Sequence, residues 1–131
     1  MLFFLLCALA STTQAQAPLR LDCGSAIGIG TFKSDTYYSS SSPASTTANI
    51  DISKAANPAP QAIYQTQNTS TTTLTYTLPN LGIGFAYIVR LHFAEIVYNA
   101  SNQRTMNVSI NTTNVLTNFD IYAAVGYHPH R

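Results

Sequence analysis

Few side chains in this sequence could do acid–base chemistry. Among 131 residues there are five carboxylates: Asp22, Asp35, Asp51, Glu95 and Asp120. Hydrolysis of a glycosidic bond needs two carboxyl groups on opposite sides of that bond, and no spacing among these five indicates such a pair. The string that presents a nucleophilic serine in hydrolases is missing, and His128 and His130 lie on a predicted tail. The sequence therefore predicts a protein that is not an enzyme.

The two cysteines, Cys7 and Cys23, do not have the spacing of a metal-binding motif, so no metal and no cofactor are expected. Cys7 belongs to an N-terminal segment that we expect to be removed. Cys23 would then be alone in an oxidising compartment. Two interpretations stay open: Cys23 is buried as a small apolar residue, or its partner lies outside this chain.

Composition excludes one large class of partners. Only 8% of the residues are charged and the formal net charge is +1. Binding to nucleic acid depends on clustered basic residues that neutralise phosphates, and this chain has no such patch. Ser, Thr, Asn and Tyr are abundant instead. We expect neutral partners and no nucleic acid.

The N-terminus has the character of an export signal. Residues 1–10 are almost wholly apolar, which is too short a run to span a bilayer, since a span needs about 20 apolar residues. Small polar residues follow up to Ala17, as in the region that precedes a signal cleavage site. We predict a secretory signal over residues 1–15, with cleavage after Ala15. The mature protein is then expected to be extracellular or in the lumen of the secretory pathway, with no membrane span in this chain.

Asparagines in acceptor triplets for N-linked glycosylation support export. Four triplets match, and none contains Pro; their asparagines are Asn68, Asn99, Asn107 and Asn111. One match in a chain rich in Ser and Thr means little, but four shift the balance towards a glycoprotein. Chance remains the simpler explanation of any single match.

The elements that must position a site are strands. Residues 87–96 alternate, with Tyr87, Val89 and Leu91 on one face and Ile88 and Arg90 on the other. Residues 104–111 alternate in the same way after a polar turn, so the two segments are predicted to pair as a hairpin.

Further strands are predicted over residues 19–24, 74–78 and 118–122, and an extended segment over residues 62–66. Residues 39–47 are low in complexity and predict a mobile loop, and a single helical turn is predicted near residues 52–56. Short strands with frequent turns predict an all-β fold, either a sandwich or a jelly roll.

The sequence predicts structural roles for three polar side chains. Glu95 is expected to cap a turn or to pair with Arg104. Asp120 is expected to anchor a loop. His92 falls on the polar face of its strand, where a solvated or hydrogen-bonded imidazole is the ordinary case.

In order and spacing, a series of short motifs resembles the malectin family. They are Leu21-Asp22-Cys23-Gly24, Phe32-Lys33-Ser34-Asp35, Ile63-Tyr64-Gln65-Thr66 (followed by Gln67 where the family has Glu), Val89-Arg90-Leu91-His92-Phe93-Ala94-Glu95, residues 104–111 and Asn118-Phe119-Asp120-Ile121. The resemblance implies a jelly-roll-like β-sandwich over residues 18–126. The family continues for a few dozen residues beyond this point, so the resemblance also implies a sandwich that lacks its last strands, followed by a tail at residues 127–131.

The same resemblance implies a carbohydrate site built from aromatic rings on loops. The C–H bonds on a pyranose face sit well over a π cloud. By position, Tyr64 matches one such ring, and the family's Tyr-Phe pair becomes Val97-Tyr98. The loop before Tyr64 contains no ring, and Tyr37 or Tyr38 could substitute if that loop folds back. The candidate ligand-binding residues are therefore Tyr64, Tyr98, Tyr37 and Tyr38.

Two functions follow from the resemblance. The first is a carbohydrate-binding module for a neutral, glucose-type oligosaccharide. The alternative is a peptide- or protein-binding part of a receptor-like kinase ectodomain, because plant receptor kinases carry related domains and several of the sugar-site aromatics are replaced here.

Overall fold

Strands are the main regular secondary structure of the described residues. The computed structural model describes the backbone of residues 2–8, 18–125 and 129–130, with side chains for residues 18–125. These ranges form β1 (Leu2–Ala8), β2 (Leu19–Asp22), β3 (Lys33–Ser34), β4 (Ser42–Ser45), β5 (Asn49–Ile50), a 3-10 helix (Gln61–Gln65), β6 (Thr66–Thr69), β7 (Ala86–His92), β8 (Met106–Ile110), β9 (Thr113–Phe119), α1 (Ile121–Val125) and β10 (Pro129–His130). The predicted all-β fold is confirmed. Both helices in the described ranges have five residues, too few to cross a bilayer.

The largest sheet in the described ranges has the strand order β3-β2-β1-β7. β1 is antiparallel to both of its neighbours, and it pairs with the whole of β7, from Leu2 opposite His92 to Ala8 opposite Ala86. The segment predicted as an export signal is thus a strand in this chain. The predicted cleavage site, after Ala15, lies outside the described residues. Residues 126–128 and 131, at the end of the predicted domain and in the predicted tail, also lie outside them. Signal removal stays a prediction.

The alternation predicted for residues 87–96 is confirmed only over residues 87–92, because β7 ends at His92. Tyr87, Val89 and Leu91 are partly buried, whereas Ile88 and Arg90 are exposed. Successive side chains of a strand point to opposite faces, so one face of β7 packs inward while the other meets solvent. Packing of the inward face positions β7 in the fold. The last residue of β7, His92, reaches the candidate site.

The predicted hairpin between residues 87–96 and 104–111 is wrong, because β8 pairs with β9. β8 itself alternates as predicted, with Val108 buried and its neighbours in sequence exposed. A two-residue turn, Asn111 and Thr112, joins β8 to β9, and Asn111 has a positive φ of 54°. Asn tolerates this backbone conformation, and so tight a turn closes a local hairpin at little entropic cost.

Two further predictions in the middle of the chain are wrong. The predicted mobile loop at residues 39–47 contains β4, which pairs with β6 from Ser42 opposite Thr69 to Ser45 opposite Thr66. The Thr69 hydroxyl donates to the Ser42 carbonyl at 3.0 Å. A polar side chain thus helps to fix β4, although this strand has few apolar side chains to bury. The predicted strand at residues 74–78 forms only an isolated bridge, at Tyr76 opposite Tyr38.

Helical structure appears where the sequence predicted other conformations. Residues 62–66 are not extended, because the 3-10 helix begins after Pro60, whose ring restricts φ to −51°. The predicted helical turn near residues 52–56 is a hydrogen-bonded turn and not a helix. The strand predicted at residues 118–122 ends at Phe119, and α1 begins at Ile121, directly after Asp120.

The prediction that Asp120 anchors a loop is confirmed. Its carboxylate accepts from the Asn102 amide at 2.5 Å and from the Ala123 amide at 2.9 Å. These bonds to backbone N–H groups stabilise the carboxylate and lower the pKa of Asp120. The side chain therefore ties the 99–103 turn to the start of α1.

The core lies between β2, the 3-10 helix and the turns that follow β2. Its buried apolar residues are Leu21, Cys23, Phe32, Ala59, Ile63 and Tyr64. Of the two interpretations of Cys23, the structure agrees with burial, since the side chain is 1% exposed. Gly24, with φ of 85°, follows at a point where a Cβ atom would collide with the backbone of Gln67. This close approach holds β6 against the end of β2.

Candidate functional site

Tyr64 lies at the centre of a short hydrogen-bond chain. It is 6% exposed, and its hydroxyl accepts from the Ala59 amide at 3.1 Å and lies 2.7 Å from Nδ1 of His92. The two rings meet edge-on, with centroids 5.7 Å apart. Burial raises the pKa of Tyr64, partly offset by the Ala59 bond. The hydroxyl is therefore protonated at neutral pH, and most of the ring is inside the protein.

A cavity of about 330 Å³ opens beside this pair. Burial, together with the positive charge of Arg90, lowers the pKa of His92. Which of the two groups donates depends on the imidazole tautomer: the Tyr64 hydroxyl donates to Nδ1 when the His92 proton is on Nε2, and it accepts when the proton is on Nδ1. The hydrogen-bonded imidazole expected at His92 is confirmed. The cavity lining is Ala55, Ala56, Tyr64, Arg90, Leu91, His92 and Phe93.

Glu95 organises the loop after β7. One carboxylate oxygen accepts from the amides of Val97 at 2.9 Å and Tyr98 at 3.0 Å. The other forms an ion pair with Arg104, 2.7 Å from Nη2 and 3.0 Å from Nε. Both expectations for Glu95, a turn cap and a pair with Arg104, are confirmed. The Glu95 side chain is 2% exposed, so this carboxylate serves the loop and not a ligand.

Tyr98 is held by the same arrangement but faces solvent. Its side chain is 39% exposed, and the guanidinium carbon of Arg104 lies over the ring, 5.3 Å from the centroid. Arg104 also donates to Oε1 of Gln67 at 3.3 Å. We call Glu95, Arg104 and Tyr98 the Tyr98 cradle. It presents an aromatic ring in a fixed orientation, which is what stacking on a sugar face requires.

Gln67 connects the two predicted tyrosines. It follows Tyr64 by three residues, in the buried middle of β6, and reaches the Tyr98 cradle through Arg104. The side chain is 5% exposed, and its Nε2 atom has no hydrogen-bond partner among residues 18–125. The departure from the family's Glu was visible in the sequence, but the contact with Arg104, 37 residues away, was not.

Tyr37 and Tyr38 lie in a different setting. Their segment is hydrogen-bonded to residues 75–77, because Thr77 donates to the Tyr37 carbonyl and Ser39 donates to the Thr75 carbonyl. Tyr37 is partly buried against the core. Tyr38 is 41% exposed, and its ring is tilted against Tyr76 at a centroid distance of 6.2 Å. The role of these two tyrosines in ligand binding stays a prediction.

Behind Tyr38 lies a buried polar network that the sequence did not indicate. Oδ2 of Asp35 accepts from the Gly24 amide at 2.8 Å, from the Tyr76 hydroxyl at 2.9 Å and from the side-chain amide of Asn68. Burial, reinforced by the adjacent Cys23 thiol, raises the pKa of Tyr76. We call Asp35, Asn68 and Tyr76 the Asp35 network. Asp35 belongs to one of the short motifs in the sequence, but neither its segment nor that of Asn68 indicates that the two side chains meet.

The four asparagines in acceptor triplets differ in exposure. Asn99, Asn107 and Asn111 are exposed, whereas Asn68 is 5% exposed and its amide nitrogen donates to Asp35 and Tyr76. A glycan on Asn68 would replace these bonds. Glycosylation itself stays a prediction at all four positions.

Metal binding finds no support in the part of the chain with described side chains. Within residues 18–125, no three His, Cys, Asp or Glu side chains come close enough together to hold a metal ion.

A cavity beside a buried tyrosine is the kind of concave feature at which proteins bind small ligands. The profile of the Malectin domain family matches residues 20–130, and the chain belongs to that family. Malectin domains are carbohydrate-binding, non-catalytic β-sandwiches of the extracellular space or the secretory pathway. The resemblance derived from the motifs is thereby confirmed.

Curated relatives match shorter stretches. Malectin-B and Malectin-A of Xenopus laevis are 31% and 32% identical over 71 residues, which is 54% of this chain and 25% of each relative. A probable receptor-like protein kinase of Arabidopsis thaliana is 45% identical over 42 residues, 32% of this chain and 5% of the kinase. The chain thus corresponds to a quarter or less of each of these relatives. No solved structure gives a significant match.

Proposed function

We propose that this domain is an exported carbohydrate-binding module for a neutral, glucose-type oligosaccharide, with Tyr98 as the principal ring against the sugar. The proposal rests on one observation above all. Tyr98 is 39% exposed, yet its backbone amide and the guanidinium over its ring are both fixed by the buried Glu95. A ring that is held still before the ligand arrives loses little conformational entropy on binding.

The cavity beside Tyr64 is a second concave surface with polar groups that a sugar could use. With its hydroxyl committed to Ala59 and His92, Tyr64 contributes a wall and not an open ring face. His92 and Arg90 line the cavity; a guanidinium, and an imidazole that carries its proton on Nε2, can donate to sugar hydroxyls. Such donors confer orientation on a neutral ligand, whose affinity comes mainly from ring contact.

A glycan array with the exported protein tests the proposal. We expect binding to neutral glucose-containing oligosaccharides, loss of binding in Tyr98→Ala and retention in Tyr98→Phe, which keeps the ring. Val115→Ala, an exposed apolar residue on β9, is the matched control and should bind as the wild type does. An array without signal, or equal binding by Tyr98→Ala, would remove the proposal.

Export also leads to an expectation for glycosylation. Because Asn99, Asn107 and Asn111 are exposed, we expect glycans there when the chain is made in a secreting cell. Asn68 should be unmodified in the folded product, because its amide nitrogen is used inside the Asp35 network. Peptide mass spectrometry after enzymatic glycan release measures each occupancy, and a glycan at Asn68 in folded protein would contradict this ordering.

A peptide- or protein-binding role is the second candidate. Two observations favour it: the similarity to a probable receptor-like protein kinase, and the exposed apolar side chains Ile83, Phe85 and Ile88 around the start of β7. Large apolar side chains in water are typical of surfaces that meet other proteins. A pull-down from secreted extract separates the two roles. Recovery of glycan alone would count against this candidate, and recovery of one protein that Phe85→Ser loses would support it.

A further inference from the structure

The position between β2 and β7 is unusual because of the segment that fills it. β1 makes a continuous antiparallel ladder with all seven residues of β7, but only two of its residues, Phe4 and Leu5, pair with β2. β7 therefore provides most of the backbone contacts. In the described sheet, β7 is the last strand, and β1 is its partner there.

Removal of residues 1–15, which we predict on export, would take this partner away. The sheet would divide into the β3–β2 pair and a β7 with seven residues of unpaired backbone on the side that β1 covered. A long strand edge of this kind is a template for another strand. A retained leader keeps the position filled, whereas a cleaved leader opens it.

We propose that the exported domain uses this position as a strand-acceptor site, and that the occupant is an extended segment of a partner protein. Binding is by β-augmentation: the segment lies antiparallel to β7, and main-chain hydrogen bonds supply most of the affinity. The inference rests on the predicted export of the proposed function, but not on carbohydrate binding.

β7 also sets the chemistry of the occupant. Residues opposite Val89 and Leu91 share their face of the sheet, and that face is partly buried. An incoming segment therefore needs apolar side chains at these alternate positions. Opposite Ile88 and Arg90, which are exposed, it tolerates polar residues. A segment of about seven residues without proline fits, because proline removes a ladder donor.

Filling this position bears on the cavity as well. β7 ends at His92, whose Nδ1 faces the Tyr64 hydroxyl, and Arg90 lies on the same strand. A bound strand would fix the backbone that carries both side chains. Occupancy of the acceptor site is therefore expected to protect the β7 amides and to restrict the His92 ring.

The test compares two forms of the natural chain: the exported protein, and the full chain made without export, which keeps residues 1–15. The probe is a fluorescent peptide with the sequence of residues 2–8, carrying Ser at the Cys7 position and terminal lysines for solubility. Its matched control carries Pro at the Leu5 position. Fluorescence anisotropy measures binding, hydrogen exchange measures protection of residues 86–92, and mass spectrometry determines the N-terminus of the exported protein.

We expect the exported protein to begin at Gln16, to bind the peptide and to gain protection at residues 86–92. The full chain should not bind, since β1 already occupies the position. The proline peptide should bind about tenfold more weakly, as expected for loss of one main-chain hydrogen bond and the strain beside it.

Four results would overturn the inference. They are an exported protein that retains residues 2–8, an exported protein whose β7 amides are protected without peptide, equal binding of the two peptides, and a dimer of the exported protein that excludes the peptide. The last would assign the β7 edge to a second copy. A negative glycan array with positive peptide binding would remove the carbohydrate proposal and leave this one standing.

Discussion

Two of the three carboxylates that are buried among residues 18–125, Glu95 and Asp35, support different parts of the molecule in different ways. Glu95 is paired with a cation, Arg104, and Arg104 lies over an exposed ring. Asp35 accepts from the uncharged donors Gly24, Asn68 and Tyr76, and its Oδ1 has no hydrogen-bond partner among residues 18–125. One carboxylate braces a surface that can meet a ligand, and the other joins distant segments of the core.

Exposure of a ring is not enough to identify a binding residue. Tyr38 and Tyr98 have nearly equal exposure, 41% and 39%. Tyr38 leans on Tyr76, whose hydroxyl is committed to the Asp35 network, whereas Tyr98 has its backbone and one ring face fixed by side chains that serve its own loop. Removing each carboxylate should therefore have separable effects on stability and on binding.

The largest effect is expected for Asp35→Ala. This substitution leaves the Gly24 amide, the Asn68 amide and the Tyr76 hydroxyl without their shared acceptor, and unsatisfied buried donors are costly. We expect the free energy of unfolding to fall by roughly 3 kcal/mol. Urea denaturation measures it. Glycan affinity of the fraction that remains folded should be unchanged, and a stability loss below about 0.5 kcal/mol would show that the network is dispensable.

Glu95→Gln should have an intermediate effect on stability and a clear one on binding. It keeps an acceptor for the Val97 and Tyr98 amides but leaves Arg104 without its charge partner. We expect a loss of about 2 kcal/mol, less than for a fully buried pair because Arg104 is 19% exposed. A double-mutant cycle with Arg104→Met isolates the pair. A coupling energy near zero, or unchanged glycan affinity, would separate Glu95 from the presentation of Tyr98.

The smallest effect concerns pH. The pKa of His92 is lowered in the folded state, so the unfolded chain takes up the proton first as pH falls below about 6.5. His92 thus stabilises the folded state above this pH, and its contribution is lost on acidification. We expect a decline of less than about 1 kcal/mol between pH 7.5 and pH 5.5. Urea midpoints of the wild type and His92→Gln should converge at the lower pH, and parallel pH profiles would argue against this coupling.

Local patterns were predictable from the sequence and distant pairings were not. Alternation in β7 and β8 depends on neighbours in the chain, and Glu95 and Arg104 lie nine residues apart, so these features could be inferred. By contrast, Asn68 and Asp35 are 33 residues apart. Nothing in either segment alone indicates their contact.

In the candidate site, too, the local features were predictable and the distant contacts were not. Tyr98 beside a polar turn was a recognisable candidate, and the family resemblance led to Tyr64. The contact of Tyr64 with His92, 28 residues away, joins the 3-10 helix to the end of β7, and no local pattern encodes this contact. The pairing of β8 with β9 was missed because a short turn at Asn111 outweighed the similarity between β7 and β8.

A calorimetric titration of the wild type, Tyr98→Ala and Tyr38→Ala with the best oligosaccharide from the array tests the central claim most directly. If the Tyr98 cradle presents the ring that stacks on the sugar, Tyr98→Ala should weaken binding about tenfold or more, since it removes about 0.5–1.5 kcal/mol of ring contact together with the apolar area that the ring buries. Tyr38→Ala should change affinity less than about twofold. Full affinity in Tyr98→Ala, with the loss falling on Tyr38→Ala, would contradict the account.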